Sequence, residues 1–291
     1  MICRQPCEAE GVSATLAAPT EVRTHPIGLV PAVLVCGAAV LLFGFMLLIP
    51  GYLMLAAGLV AAWLTDRSGR TSRLLADLAL IALGQVIIST ISLKADISYP
   101  SIVRFALVLG GAVLVPYVIS RYVYGDRVIR FPWRTGRRWT RTQWLYLIGV
   151  ITAGWLILPF YFITSGVYTN WPTVTEPDEI ARLFVGVNAV GTWDELFFIC
   201  TVFALLRRHF PTWQANLLQA VVFVSFLWEL GYQSWGPLLT IPFALIQGYT
   251  FKLTKSLTYV LVVHLLFDAI VFMVIVYAHN GWPAIFPLVP L

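Results

Sequence analysis

The sequence predicts an all-α protein, a polytopic membrane helix bundle with about eight or nine transmembrane helices. Three observations lead to this fold class. Of the 291 residues, 59% are hydrophobic and only 11% are charged, whereas a soluble domain carries about 25% charged residues. The mean hydropathy is +0.83. Apolar runs recur along the whole chain, and most approach the roughly 20 residues that cross the hydrocarbon core of a membrane.

Nine apolar runs are candidate transmembrane helices. The second and the eighth are short, so a merged pair would reduce the count to eight. A Pro50-Gly51 pair follows the first run and predicts a break before the second. The runs are Ile27–Leu48, Gly51–Leu64, Leu74–Leu93, Ile102–Ser120, Trp144–Ile163, Ile180–Leu206, Ala215–Gly231, Pro237–Phe251 and Leu257–Ala278.

This pattern divides the chain into five regions. Four spans precede a loop that is rich in arginine, and five follow it, so we expect two groups of helices. The regions are an N-terminal tail (1–26), N-terminal transmembrane helices (27–120), the arginine-rich loop (121–143), a second helix bundle (144–279, core about 180–278) and a C-terminal tail (280–291).

The distribution of basic residues indicates the orientation of these spans. If the N-terminal tail is cytoplasmic, the inner loops hold 14 of the 19 lysines and arginines, as the positive-inside rule requires. Nine spans then leave the C-terminus outside. Because the basic residues lie in short loops as topology signals, the net charge of +5 does not indicate nucleic-acid binding. We expect an integral protein of a cell membrane, of bacterial type, surrounded by membrane lipid.

Ionisable residues inside the apolar runs are the candidate functional groups. Asp194 and Glu195 lie near the middle of the sixth run, where a charged group costs about 2.5–3.5 kcal/mol. Glu229 lies in the seventh run. His264 and Asp268 lie in the ninth, four residues apart and therefore on one face of a helix. Such groups suit general acid and base catalysis. We expect His264 to lie within about one side-chain length of Glu195 or Asp194, because isolated charges in lipid are too costly.

These residues, in this order, resemble the motifs of the CPBP intramembrane proteases, which include the type II CAAX prenyl endopeptidases and bacteriocin-immunity proteins. The first family motif is a Glu-Glu pair, two apolar residues, Phe and Arg, and Asp194 to Ile199 follows it in part. The third motif is His, three residues, then Asn or Asp, as in His264 to Asp268. The segment Phe243 to Tyr249 also resembles the segment before that histidine.

Three positions depart from the family pattern. Asp194 replaces the first glutamate, which activates water in the family, and Ile199 replaces the arginine. The second motif is Phe, three residues, then His. It begins here at Phe223, but Leu227 stands where the histidine is expected, and Glu229 follows two residues later.

The resemblance implies an intramembrane endopeptidase that acts on a membrane-associated or lipidated peptide or protein. Asp194 or Glu195 would accept a proton from the attacking water, and Glu229 would substitute for the missing imidazole. His264, with Asp268, would stabilise the oxyanion, as such chemistry requires.

Three alternatives remain open at this point. The protein could be a non-catalytic relative that binds or scaffolds other proteins, because two motif residues are lost. It could be a proton-coupled carrier, because intramembrane acids also serve as proton relays. No cofactor is required by the motifs, but Glu229, His264 and one carboxylate of Asp194 or Glu195 could bind zinc in a site of histidine and carboxylate ligands.

Overall fold

The structure is a computed structural model that describes residues 26–133, 138–281 and 285–289. Several sequence predictions fall outside this range. They concern the N-terminal tail up to residue 25, the loop residues 134–137 and part of the C-terminal tail.

The described part of the chain folds into nine helices and contains no strand, which confirms the predicted fold class. Five of the helices, α2, α4, α5, α6 and α9, are long and apolar enough to cross a membrane. The helices are α1 (Leu29–Gly44), α2 (Leu48–Arg67), α3 (Leu74–Ile88), α4 (Tyr99–Val123), α5 (Arg141–Thr164), α6 (Pro177–Leu206), α7 (Thr212–Leu230), α8 (Pro237–Thr254) and α9 (Leu257–Asn280).

The break between α1 and α2 lies earlier than the Pro50-Gly51 pair predicts. Met46 adopts a positive φ of 55°, and α2 begins at Leu48 and includes both Pro50 and Gly51. A proline in the first turn of a helix is tolerated, because the backbone N–H that it lacks would have no intrahelical acceptor. The second span is therefore 20 residues long and is not short.

Helix α3 ends at Ile88, five residues before the predicted end of its span at Leu93. The Ser89 and Thr90 side chains donate hydrogen bonds to carbonyls of the last turn, which favours termination there. The Leu93 backbone N–H instead donates to the Glu229 carboxylate at 3.0 Å. The residues after α3 thus form a connection that is fixed to α7.

Helix α6 is the central element of the fold. Of its most apolar 18-residue stretch, 72% is buried inside the protein, the largest share among the five long apolar helices. One continuous apolar core includes side chains of α1 to α4 together with α6 and α7. A second core joins α5 and α9 to the first half of α6. The helices before and after the arginine-rich loop therefore share α6 as a common packing partner.

Charged residues meet at the end of the bundle where the basic loops lie. Asp77, in the first turn of α3, is buried and contacts His209 Nε2 at 2.6 Å and Arg208 Nη1 at 3.3 Å. Arg208 also pairs with Asp126, which accepts a further hydrogen bond from Arg73 at 3.2 Å. This Asp77 cluster connects α3, the loop after α4 and the turn between α6 and α7.

Asp126 lies in the loop after α4, outside the helices. Burial raises the pKa of Asp126, but the backbone N–H of Arg127 and the guanidinium groups of Arg208 and Arg73 outweigh burial. The pKa of Asp126 is therefore held below its usual value, because these donors favour the charged carboxylate.

Candidate active site

The first two candidate residues lie where helix α6 changes its winding. The helix is α-helical from Pro177 to Asp194 and π-helical from Glu195 to Phe203. Wider π-helical turns often occur at functional sites. The rotation of this segment is fixed by Trp193, whose indole N–H donates to the Leu109 carbonyl of α4 at 2.6 Å. Asp194 and Glu195 therefore project from a turn that Trp193 holds against α4.

His264 of α9 lies between these two carboxylates. Its Nδ1 is 2.7 Å from Glu195 Oε1, and its Nε2 is 3.6 Å from Asp194 Oδ2 and 3.9 Å from Asp268 Oδ1. All four residues are buried, with exposed fractions of 6% or less. The structure thus brings Asp194, Glu195, His264 and Asp268 together, as the sequence predicts, and each nitrogen of the ring faces its own carboxylate partners.

Gln247 of α8 is a further member of the site. Its Nε2 donates to Glu195 Oε1 at 2.7 Å and to the Val260 carbonyl of α9 at 3.1 Å. Glu195 Oε1 therefore accepts hydrogen bonds from both Gln247 and His264. Sequence reasoning missed this residue. The available signal was a glutamine in an apolar helix, within the segment before the motif histidine.

A glycine permits the close approach of Asp268 to α6. A Cβ atom placed on Gly191 would lie 1.8 Å from Asp268 Oδ2 and 3.3 Å from His264 Cδ2. No side chain larger than hydrogen fits this position without moving Asp268. Gly191 therefore lets α9 place its carboxylate directly against the backbone of α6.

The site opens onto a cavity of about 570 Å³ that lies mainly between α4, α5, α6, α8 and α9. Its walls are mostly apolar, and Asp194, His264, Asp268 and Gln247 form a polar group in the lining. Glu195 is fully buried and does not line the cavity. Within the described residues, Asp194 Oδ1 and Asp268 Oδ2 are buried and have no hydrogen-bond partner.

The structure does not bring Glu229 into this group. Its carboxylate accepts the Leu93 backbone N–H, and it is absent from the described lining of the cavity. Leu227, which lies two residues before Glu229 in α7, lines the cavity where the family motif predicts a histidine. The geometry gives Glu229 a role in fixing a connection and does not support it as a substitute for the imidazole.

The arrangement of ligands also does not support a zinc site. Among the described residues, no group of three or more His, Cys, Asp or Glu side chains has a geometry suited to a metal ion. The zinc hypothesis depended on Glu229 lying beside His264, and Glu229 instead contacts the segment after α3.

Comparison with family models gives an independent result for the same part of the chain. Residues 176–270 match the model described as type II CAAX prenyl endopeptidase Rce1-like. This region, about a third of the chain, is therefore similar to that family. The match spans α6 to the middle of α9 and so includes every residue of the site. No curated protein and no solved structure matched the chain.

The match confirms the resemblance seen in the motifs and supports a membrane protein of CAAX-protease type. Position 194 carries aspartate where the family motif has glutamate, and Ile199 and Leu227 replace the motif arginine and histidine. Ile199 is completely buried. The site therefore retains a carboxylate and the third motif, in a setting with fewer polar groups.

Proposed function

We propose that the protein is an intramembrane endopeptidase that hydrolyses a peptide bond in a membrane-associated or lipidated substrate. The observation that supports this most directly is the presence of Asp194, His264 and Asp268 together on the wall of an apolar cavity. Asp194 is the position that corresponds to the water-activating residue of the family, and its Oδ1 has no partner among the described residues.

In this mechanism, Asp194 accepts a proton from water while the water oxygen forms a bond to the carbonyl carbon of the substrate. The carbonyl oxygen becomes an oxyanion and accepts a hydrogen bond from Nε2–H of His264. Because Nδ1–H of His264 donates to Glu195, this role requires the doubly protonated ring, which the nearby carboxylates stabilise. Asp194 then transfers the proton to the leaving amine as the C–N bond breaks.

The roles of the two adjacent acids differ in this proposal. Asp194 lines the cavity and serves as the base, whereas Glu195 is enclosed and orients His264. Asp268 lies on the cavity side of the ring and stabilises its charge. Glu229 has no catalytic role.

A cleavage assay with a farnesylated, CAAX-type fluorogenic peptide and the purified protein in liposomes tests the proposal. Asp194→Asn should lower the rate by about 10²–10⁴-fold, because an amide cannot accept the proton. Asp194→Glu should keep or raise the rate, because it restores the reach of the family glutamate. Glu229→Gln is the matched control, since its amide oxygen can still accept the Leu93 N–H, and it should cleave as the wild type does.

Full activity in Asp194→Asn would show that Asp194 is not the base. A wild-type protein that cleaves no membrane peptide would instead favour a non-catalytic membrane protein that binds or scaffolds partners. The observation that favours this second function is Leu227, an apolar side chain in the cavity wall where the family carries a histidine.

We also propose that the N-terminus is cytoplasmic and the C-terminus outside. The support is the concentration of arginine in the loops at one end of the bundle, where the Asp77 cluster also lies. Labelling of single cysteines placed in the loops on either side, with a membrane-impermeant reagent on intact cells, tests this orientation. Labelling of a loop beside Arg70 from outside would contradict it.

A further inference from the structure

We propose that Gln247 is a positioning residue, which holds Glu195 so that the His264 ring presents Nε2 to the cavity. The kinetic part of this inference rests on the proposed peptidase function. The structural part concerns the hydrogen-bond state of His264 and can be measured whether or not the protein cleaves a substrate.

The first argument is the pair of acceptors that Gln247 joins. Its Nε2 bonds to Glu195 Oε1 on α6 and to the Val260 carbonyl on α9. In an α-helix, the carbonyl of Val260 also accepts the backbone N–H of His264, four residues later. Gln247 thus connects Glu195 to the helical turn that carries the histidine.

The second argument is that only one orientation of the amide is favourable. Glu195 Oε1 and the Val260 carbonyl are both acceptors, so a rotated amide would place its oxygen against two oxygens. Gln247 is 1% exposed, and burial of an amide without hydrogen bonds costs about 2–7 kcal/mol. The amide therefore remains with its NH₂ group toward Glu195.

The consequence for His264 follows from the shared acceptor. With Gln247 fixing Glu195 Oε1, that oxygen stays 2.7 Å from His264 Nδ1. The bond holds a hydrogen on Nδ1 and directs Nε2 toward Asp194 and Asp268. Without Gln247, the Glu195 carboxylate can rotate and the imidazole loses its fixed orientation.

The test uses Gln247→Met, which keeps the approximate volume and removes the donor. The matched control is Gln219→Met. Gln219 is also a fully buried glutamine, and it donates to Asn216 and to the Ala244 carbonyl at the contact between α7 and α8. Each protein is labelled with ¹⁵N-histidine, purified in micelles and examined by NMR, and the signal of His264 is assigned by its loss in His264→Gln.

In the wild type and in Gln219→Met, His264 should show a hydrogen-bonded, slowly exchanging proton on Nδ1. In Gln247→Met, this proton should exchange faster and the ¹⁵N shifts of the ring should change. If the peptidase proposal holds, kcat should fall by about 10- to 100-fold with little change in KM, by analogy with partners that orient metal-bound histidines.

Unchanged His264 signals in folded Gln247→Met would overturn the inference, and so would an equal change in Gln219→Met. If Gln247→Met does not fold, Gln247→Asn offers a second variant. It keeps a polar amide but is one methylene shorter, so its NH₂ group lies farther from Glu195, and it should alter the His264 signals in the same direction. Failure of the wild type to cleave peptide, with the NMR result as expected, would count against the peptidase function and leave the positioning role intact.

Discussion

Replacement of Gly191 by alanine is the sharpest test of the packing that forms the site. The added methyl carbon would lie 1.8 Å from Asp268 Oδ2, so the carboxylate has to move by more than about 1 Å to reach ordinary contact distance. Overpacking of this kind costs about 1–3 kcal/mol. The expected movement takes Asp268 away from His264, whose Nε2 is 3.9 Å from Asp268 Oδ1.

Gly186 is a matched control on the same helix, because a Cβ atom there would meet nothing within 4 Å. Alanine in place of glycine in a helix gains about 0.5–1 kcal/mol, and this gain should be similar at both positions. The difference in unfolding free energy between Gly191→Ala and Gly186→Ala therefore isolates the overpacking and should be about 1–3 kcal/mol.

Reversible unfolding in mixed micelles measures this difference, and the peptide assay follows the chemistry. A displacement of about 1 Å in a positioned group can lower a rate by about 10²-fold, so Gly191→Ala should cleave far more slowly than Gly186→Ala. If Gly191→Ala is as stable as Gly186→Ala and equally active, the close contact between α6 and Asp268 is wrong.

Two predictions concern the Asp77 cluster, away from the site. Asp77→Asn should lower the unfolding free energy by about 1.5–3 kcal/mol, because it weakens hydrogen bonds between buried, charged groups. The control is Asp178→Asn, which alters an exposed ion pair and should lower the unfolding free energy by less than about 1 kcal/mol. Equal losses in the two variants would show that burial of Asp77 does not strengthen its contribution to stability. The lowered pKa of Asp126 means that its charged form stabilises the folded state. This stabilisation should be present when the pH is above the pKa of the unfolded state, about 3.9. It should be lost as the pH falls through the lower pKa of the folded state. Urea titrations of the wild type and Asp126→Asn between about pH 3 and 7 test this prediction. A difference in unfolding free energy that grows as the pH falls would contradict the predicted direction of the pH dependence.

The architecture could be predicted from the sequence because apolar length and loop charge are local properties. Nine apolar runs became nine helices in the described part of the chain. The errors fell at helix ends, as at Met46 and after Ile88, where backbone turns and side-chain hydrogen bonds decide the boundary. The spacing of His264 and Asp268 also placed them on one face without any knowledge of neighbours.

The tertiary structure alone decided which groups share the site and what each one faces. Adjacent residues on a helix point about 100° apart, so the sequence shows that Asp194 and Glu195 diverge but not which one meets the cavity. The rotation of α6 is set by contacts from other helices, such as the bond between Trp193 and Leu109. Glu229 looked equivalent to the other intramembrane acids, yet a backbone N–H in a distant segment binds it. Gln247 gained its role only because α8 packs beside Glu195, and no local pattern encodes a contact between residues 52 positions apart.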